Sequence, residues 1–228
     1  MGQNNTLRHV GVIMDGNGRW AQNQNKPRYE GHTQGIRNMT ALISHAFDKG
    51  VESVTCYGLS TENLARPQEE LSHIYMLMID AYTDFVTRMK EKKAGVKYIG
   101  NLDVLPSAVR ASMKMVEREL APYKDSGRMV YIGVAYGSRR EIVCAINRAI
   151  EKGEMVTEEG FLSELEAPIN LDLIIRTGGE QRLSNFMLYQ ASYAELYFSG
   201  KYFPDFNFDD MDEAFAWYDG RKRRFGKI

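Results

Sequence analysis

His9-Val10-Gly11-Val12-Ile13-Met14-Asp15-Gly16-Asn17-Gly18-Arg19-Trp20 decides the fold class of this chain. The apolar run at 10–14 reads as a buried strand. It empties into a turn holding two glycines, and a helix-like segment follows. A strand that ends this way brings backbone N–H groups to the mouth of a helix, where the dipole also favours anions. Gly16 and Gly18 allow a ligand to approach the backbone closely. Asp15 adds a carboxylate where a metal-bound phosphate would sit, and Arg19 adds a fork for phosphate oxygens.

The same alternation continues outward from this stretch. Strand candidates lie at 10–14, 53–57, 96–99, 130–135 and 171–175, with a shorter one at 196–198. Helical patterns fill 34–49, 68–93, 107–123, 139–151, 158–165 and 211–223. Near-continuous apolar strands alternating with helices predict an α/β fold, an open parallel sheet flanked by helices. Such sheets bind ligands beyond the carboxyl ends of their strands. Asp15, Ser60 and Arg176 each stand just past a strand end and so share one rim. No linker or repeat divides the 228 residues, and one domain over 1–228 is expected.

Bulk properties exclude several classes. A net charge of −1 gives no global field for nucleic acid. Cys56 and Cys144 lack metal-ligand spacing and read as buried thiols of a reducing compartment. The first six residues hold no signal-peptide core, and the Met1-Gly2…Thr6 match to a myristoylation pattern reads as coincidence. The longest apolar run, 74–79, is far too short to span a bilayer. A soluble cytoplasmic protein is expected. Leu71, Ile74, Tyr75, Met78, Tyr82, Phe85, Val86 and Met89 recur at helical spacing. That stripe is either core-facing or the wall of an apolar tunnel, for which Met is a pliable lining.

Two strand–loop crossings pair glycine with arginine. The first is 15–19, with Arg28 soon after; the second is 176–185, carrying Arg176, Gly178, Gly179, Arg182 and Ser184. Two such cradles on one rim point to two phosphorylated groups bound side by side. Between them lie Ser60 and Asn63, short polar groups, and Arg66, a third phosphate candidate. Pro67 opens the next helix. His32 is placed just before a helix, able to join a Ser/Asn hydrogen-bond relay. Asp209-Asp210-Met211-Asp212-Glu213 resembles a carboxylate metal cluster, but its position favours capping of a helix dipole. The tail from Arg221 carries five positive charges. It is either solvated or completes a diphosphate cradle, its own or a neighbour's.

Taken together these residues resemble the cis-prenyltransferases, the undecaprenyl diphosphate synthase family. The likeness runs from His9 to Gly226 and rests on Asp15-Gly16-Asn17-Gly18-Arg19-Trp20, Gly31-His32, Ser60-Thr61-Glu62-Asn63, Arg176-Thr177-Gly178-Gly179-Glu180, Arg182-Leu183-Ser184-Asn185 and Arg224-Phe225-Gly226. The resemblance implies a homodimer whose subunits each enclose an apolar tunnel, the tail at 224–226 completing the neighbour's site. It implies Mg²⁺-dependent condensation of isopentenyl diphosphate onto an allylic diphosphate, with Z double bonds and peripheral membrane contact at product release. By match, Gly16, Asn17, Gly18, Arg19, Trp20 and Arg28 hold the allylic diphosphate. Arg66, Arg176, Arg182 and Ser184 hold isopentenyl diphosphate. Asp15 and Glu195 hold the metal, and Asp15, His32, Ser60 and Asn63 surround the reacting carbons.

Three positions depart from long-chain members: Leu64 for Trp, Ala135-Tyr136-Gly137-Ser138-Arg139 for Asn-Tyr-Gly-Gly-Arg, and Phe203-Pro204 for Trp-Pro. An undecaprenyl-type carrier-lipid precursor is the favoured product. The alternatives are a short-chain or irregular-coupling synthase, and a non-catalytic partner subunit. The retained Asp15 and arginine-rich second loop argue against the partner subunit. A bound diphosphate oxygen, or a relay through Asn63 and Ser60, would take the proton that isopentenyl diphosphate loses.

Overall fold

The computed structural model describes residues 6–224; Met1-Gly2 of the myristoylation match, and Phe225 and Gly226 of the tail motif, lie outside the described residues. Six parallel strands form one sheet in the order β3-β4-β2-β1-β5-β6. These are β1 His9–Ile13, β2 Ser53–Ser60, β3 Gly95–Ile99, β4 Met129–Tyr136, β5 Leu173–Arg176 and β6 Glu195–Phe198. The chain leaves β1 toward β2 on one side and returns as β5 on the other. β1 and β5 therefore flank the switch point, where helix connections diverge and leave a crevice at the carboxyl ends.

The helices are α1 Asn17–Asn23, α2 Arg28–Asp48, α3 Gln68–Asp80, α4 Tyr82–Lys92, α5 Ser107–Leu120, α6 Ser138–Lys152, α7 Glu158–Glu164 and α8 Phe208–Asp219. Strand residues alternate between two cores. Val10, Val12, Val54, Cys56, Val130 and Ile132 meet α2, α3, α4, α5 and α8 on one face. Ile13, Tyr57, Tyr131, Tyr136 and Ile174 meet Ala167, Leu171, Phe186, Met187 and Ala191 on the other. Helices thus cover the first face, while the irregular segment 165–194 covers much of the second.

Four expectations are corrected. The pattern at 34–49 begins six residues earlier, at Arg28 after Pro27, so His32 lies inside α2. Gly31 and Gly35 weaken the helical signal there because α1 crosses at contact distance. A Cβ on Gly31 would sit 1.9 Å from the carbonyl oxygen of Asn17, and one on Gly35 2.5 Å from its Oδ1. The pattern at 68–93 is two helices meeting at Ala81, and its apolar stripe stays inward across the bend. The pattern at 211–223 runs instead from Phe208 to Asp219. It starts at Asn207, whose side chain and that of Asp210 form a reciprocal capping box. The acidic cluster therefore caps a helix, as its position favoured. Finally, Ser60 and Arg176 are the last residues of their strands rather than just beyond them.

The departures at Phe203 and Ser138 have local reasons. Phe203 is buried in the main core. Ser138, fully buried, accepts a hydrogen bond at Oγ from the Leu188 N–H at 2.9 Å.

Candidate active site

A cavity of about 570 Å³ opens at the carboxyl ends of β1, β2, β4 and β5. It is lined by Asp15, Asn17, His32, Ser60, Asn63, Arg66, Arg176, Arg182 and Ser184, all predicted from sequence, together with Glu62, Arg139 and Asn185, which were not. Gly58 reaches its wall through paired irregularities in the β2–β4 register, between Tyr57 and Leu59 and between Leu59 and Ser60. Bulges of this kind re-aim side chains at a sheet rim.

The centre of the site is an ion pair across the switch point. Asp15 Oδ2 accepts from Arg176 Nη2 at 2.9 Å, and Asp15 Oδ1 from Arg19 Nη2 at 3.0 Å. Arg176 is 4 % exposed. Its Nη1 also donates to the Arg182 carbonyl and to Ser184 Oγ, and its buried Nε has no partner among the described residues. Arg176 as a residue lines the cavity, and charge-assisted bonds from a guanidinium to an oxyanion are among the strong ones. The two loops are stapled at the backbone as well: the Asp15 carbonyl accepts from Thr177 Oγ1 at 2.7 Å and from the Phe203 N–H at 3.1 Å. Gly178 has φ +86, and a Cβ there would lie 2.7 Å from Arg19 Nη2. Only glycine permits that crossing without strain.

Three predicted residues are organised by one that the sequence reading missed. Glu70, in the first turn of α3, accepts from Arg28 Nε at 3.3 Å and Arg66 Nη1 at 3.2 Å, and lies 3.1 Å from His32 Nε2. Burial raises the Glu70 pKa, but the bonds from His32 and Arg28 and the charge of Arg66 outweigh this and hold the carboxyl below its ordinary value. Burial, with Arg66 and Arg28 adding to it, lowers the His32 pKa despite Glu70. The spacing Arg66-x-x-x-Glu70 across a helix start was the available signal. The expected His32–Ser60–Asn63 relay is corrected accordingly. His32 turns to Glu70, while Ser60 and Asn63 bond each other: Ser60 N–H to Asn63 Oδ1 at 3.3 Å, and Asn63 N–H to Ser60 Oγ at 3.2 Å. Short polar residues after a strand commonly close a local turn this way.

Other predicted residues stand behind the cavity. Arg28 lies against Gly18 and pairs with Glu70. Trp20 donates its indole N–H to Asp205 Oδ1 at 2.7 Å and does not line the cavity. Glu195 is not brought to Asp15 within one chain. It starts β6 level with Leu173, three positions and roughly 10 Å short of the rim, and Arg221 Nε donates to its Oε2 at 3.1 Å. The described part of the tail lies at that same amino end, where Arg223 Nη1 donates to Asp172 Oδ1 at 2.7 Å. The tail does not reach its own chain's cavity by way of these contacts.

A metal at Asp15 would receive one carboxylate from the protein. No group of three His, Cys, Asp or Glu side chains able to hold an ion occurs among the described residues. That suits a hard cation that completes its shell with diphosphate oxygens and water rather than a closed protein cage. Cys56 is excluded from chemistry: burial pushes its thiol up to about 12.

Behind the polar cavity two apolar chambers run in series between α2, α3 and the sheet. The first, about 70 Å³, shares Met14, Asn17, His32 and Gly58 with the polar site. The second, about 40 Å³, ends at Phe85, Tyr98 and Val116. Ile36, Met39, Met78 and Ile132 border both. The sequence left the stripe on α3 and α4 open between core and tunnel wall; its Met78 serves as wall, while Leu71 and Met89 are core. Among the described residues, no helix is long and apolar enough to cross a membrane.

Comparison with known proteins agrees with this geometry. The sequence profile of the family described as putative undecaprenyl diphosphate synthase matches residues 13–226. A farnesyl-diphosphate-specific ditrans,polycis-undecaprenyl-diphosphate synthase of Aliivibrio fischeri is 38% identical over 229 residues, covering 96% of this chain and 88% of that protein. Lavandulyl diphosphate synthase of Lavandula x intermedia, solved with dimethylallyl diphosphate, superposes with TM-score 0.92 at 32% identity, covering 99% of this chain and all of that one. A probable undecaprenyl diphosphate synthase of Campylobacter jejuni superposes with TM-score 0.83 at 31% identity, covering 97% and 99%.

Proposed function

This chain belongs to the undecaprenyl diphosphate synthase family of prenyltransferases, and from that premise we propose that it condenses isopentenyl diphosphate with an allylic diphosphate to make a Z-polyprenyl diphosphate, the undecaprenyl-type precursor being favoured. The observation that carries the reading is the Asp15–Arg176 pair at the switch point, set between two glycine–arginine loops on one 570 Å³ cavity. Asn17 and the turn 15–19 form the allylic side. Arg66, Arg176, Arg182 and Ser184 form the isopentenyl side.

In the reaction the allylic C1–O bond breaks and its electron pair leaves with the diphosphate. The isopentenyl double bond attacks C1, forming the new C–C bond, and a proton is lost from isopentenyl C2. A diphosphate oxygen accepts that proton, either directly or by a relay through Ser60 and Asn63 on the cavity wall. Mg²⁺ held by Asp15 would neutralise charge on the departing oxygens. The guanidiniums of this chain do the same from fixed positions, and the shared rim holds the two substrates in line. Glu70 keeps Arg28, His32 and Arg66 gathered before substrate arrives.

Glu195 is left out of the single-chain metal site because β6 places it at the far end of the sheet. Homodimer formation and cytoplasmic location with membrane contact at product release belong to the same reading. Exposed Val143, Ile146 and Ile150 on one face of α6 support the dimer by giving a second copy an apolar surface.

A short-chain product is the second reading. The two apolar chambers, about 70 and 40 Å³, are narrow for a long hydrocarbon, and the backbone follows lavandulyl diphosphate synthase more closely than the Campylobacter protein. Head-to-middle coupling is disfavoured by the intact Arg182 and Ser184. The test is incubation with Mg²⁺, labelled isopentenyl diphosphate and, separately, dimethylallyl, geranyl and farnesyl diphosphates, with products sized by mass spectrometry. A long Z-polyprenyl diphosphate supports the first reading and a short one the second. No product from any starter overturns both and leaves a non-catalytic partner subunit.

A further inference from the structure

Four arginines line the cavity: Arg66, Arg139, Arg176 and Arg182. Three are committed to carboxylates: Arg66 to Glu70 at 3.2 Å, Arg176 to Asp15 at 2.9 Å, and Arg182 to Glu180. The guanidinium of Arg139 has no hydrogen bond or ion pair among the described residues, although its side chain faces the same space. A cation left unpaired in a cavity that already concentrates positive charge raises the local potential for an anion rather than stabilising the fold.

Its placement is rigid at the backbone. Arg139 is the second residue of α6, and its N–H donates to Asn185 Oδ1 at 2.9 Å, while the Ser138 N–H donates to the Asn185 carbonyl at 2.8 Å. Asn185 thereby ties the start of α6 to the loop carrying Arg182 and Ser184. That loop is unusual: Ser184, Asn185 and Met187 have φ of 49°, 63° and 43°. Non-glycine residues hold such conformations only where surrounding bonds enforce them. The Tyr57 hydroxyl, donating to the Ser184 carbonyl at 3.2 Å, adds another such bond. The strained loop and the α6 terminus are thus one unit, which sets Arg139 next to the loop that carries Ser184.

We propose that Arg139 is a further substrate-binding residue, an uncommitted guanidinium that grips the diphosphate of the homoallylic substrate beside Arg182 and Ser184. This rests on the reading of the cavity as a two-diphosphate site. Arg139 is bidentate-capable where lysine is a point charge, so the two differ at a diphosphate.

Arg139→Gln and Arg139→Lys test it by steady-state kinetics, varying each substrate in turn, with calorimetric titration of isopentenyl diphosphate alone. The expected result is an isopentenyl KM raised tenfold or more in R139Q and several-fold in R139K. The allylic KM stays within twofold, and the melting temperature is unchanged because the guanidinium makes no hydrogen bond or ion pair among the described residues. If wild type turns over but R139Q leaves the isopentenyl KM within twofold, or raises both KM values equally, the proposal fails and the two-diphosphate reading stands. If wild type makes no product, that reading fails, and the titration decides Arg139: a tenfold weaker isopentenyl diphosphate affinity in R139Q supports the assignment, and equal affinity overturns it.

Discussion

Replacing Asp15 tests stability and chemistry at once, because the structure gives this residue two jobs. Its carboxylate is the counter-ion of Arg176, a guanidinium 4 % exposed. Removing one partner of a fully buried pair costs about 3–5 kcal/mol, chiefly by stranding the other charge. Asp15 is 28% exposed, so water recovers part of this, and Arg176 keeps the Arg182 carbonyl and Ser184 Oγ. The expected loss in D15A is therefore about 2 kcal/mol. At about 2–4 °C per kcal/mol for a chain of this size, the melting temperature falls by about 4–8 °C. D15N keeps an acceptor oxygen and should fall by about half as much. Both lose turnover by far more than tenfold if Asp15 holds the metal. Inorganic diphosphate should restore D15A toward the wild-type melting temperature, since it returns negative charge to Arg176. Scanning calorimetry with and without diphosphate, and labelled product formation, measure these effects. A D15A melting temperature within 1 °C of wild type would refute the ion-pair argument. Turnover within about tenfold, roughly 1.4 kcal/mol of barrier, would sink the metal role.

Gly31→Ala places a Cβ 1.9 Å from the Asn17 carbonyl oxygen, so α1 and α2 must part. The expected cost is about 3 kcal/mol by denaturant unfolding, beyond the gain in helix propensity of about 1 kcal/mol. Gly200→Ala, with nothing within 4 Å, is the neutral control. His9 is fully buried with Nδ1 at 3.1 Å from the Asn170 carbonyl and Nε2 at 2.7 Å from Thr55 Oγ1, and burial lowers its pKa to about 4. The unfolded chain then binds more protons between pH 4 and 6.5, so stability is full above about 6.5 and declines as pH falls toward 4, by up to about 3 kcal/mol. An NMR titration placing the His9 ring above pH 6 would contradict this. Met78→Ala and Met39→Ala merge the two apolar chambers and should lengthen the product, read by mass spectrometry; an unaltered product distribution would deny these residues a gating role.

The loop at 15–19, the arginines of 176–185, and Ser60 and Asn63 were readable from sequence because each lies at or just past the end of an apolar strand. In a parallel sheet all such strand ends fall on one edge. Residue type and strand order in the sequence were enough to place them on a common rim. The signals that failed were those weakened by close packing. α2 was cut short because Gly31 and Gly35 lower helix propensity, yet they are there only because Asn17 of α1 presses against them. Trp20 and Arg28 carry motif identities but spend their polar groups on Asp205 and Glu70.

What the sequence determined by itself, then, was the strand–helix rhythm, the parallel sheet and the chemistry gathered at its carboxyl edge. These follow from local hydrophobic period and turn composition. Which charges are committed and which are free came from the folded chain: Glu70 holding three site residues, Asp15 neutralising Arg176, Arg139 without an ion pair among the described residues, and Glu195 at the amino end of β6. Pairing of that kind joins residues distant in sequence, Arg176 and Asp15 lying 161 positions apart. It depends on strand order and register, which no local stretch of sequence encodes.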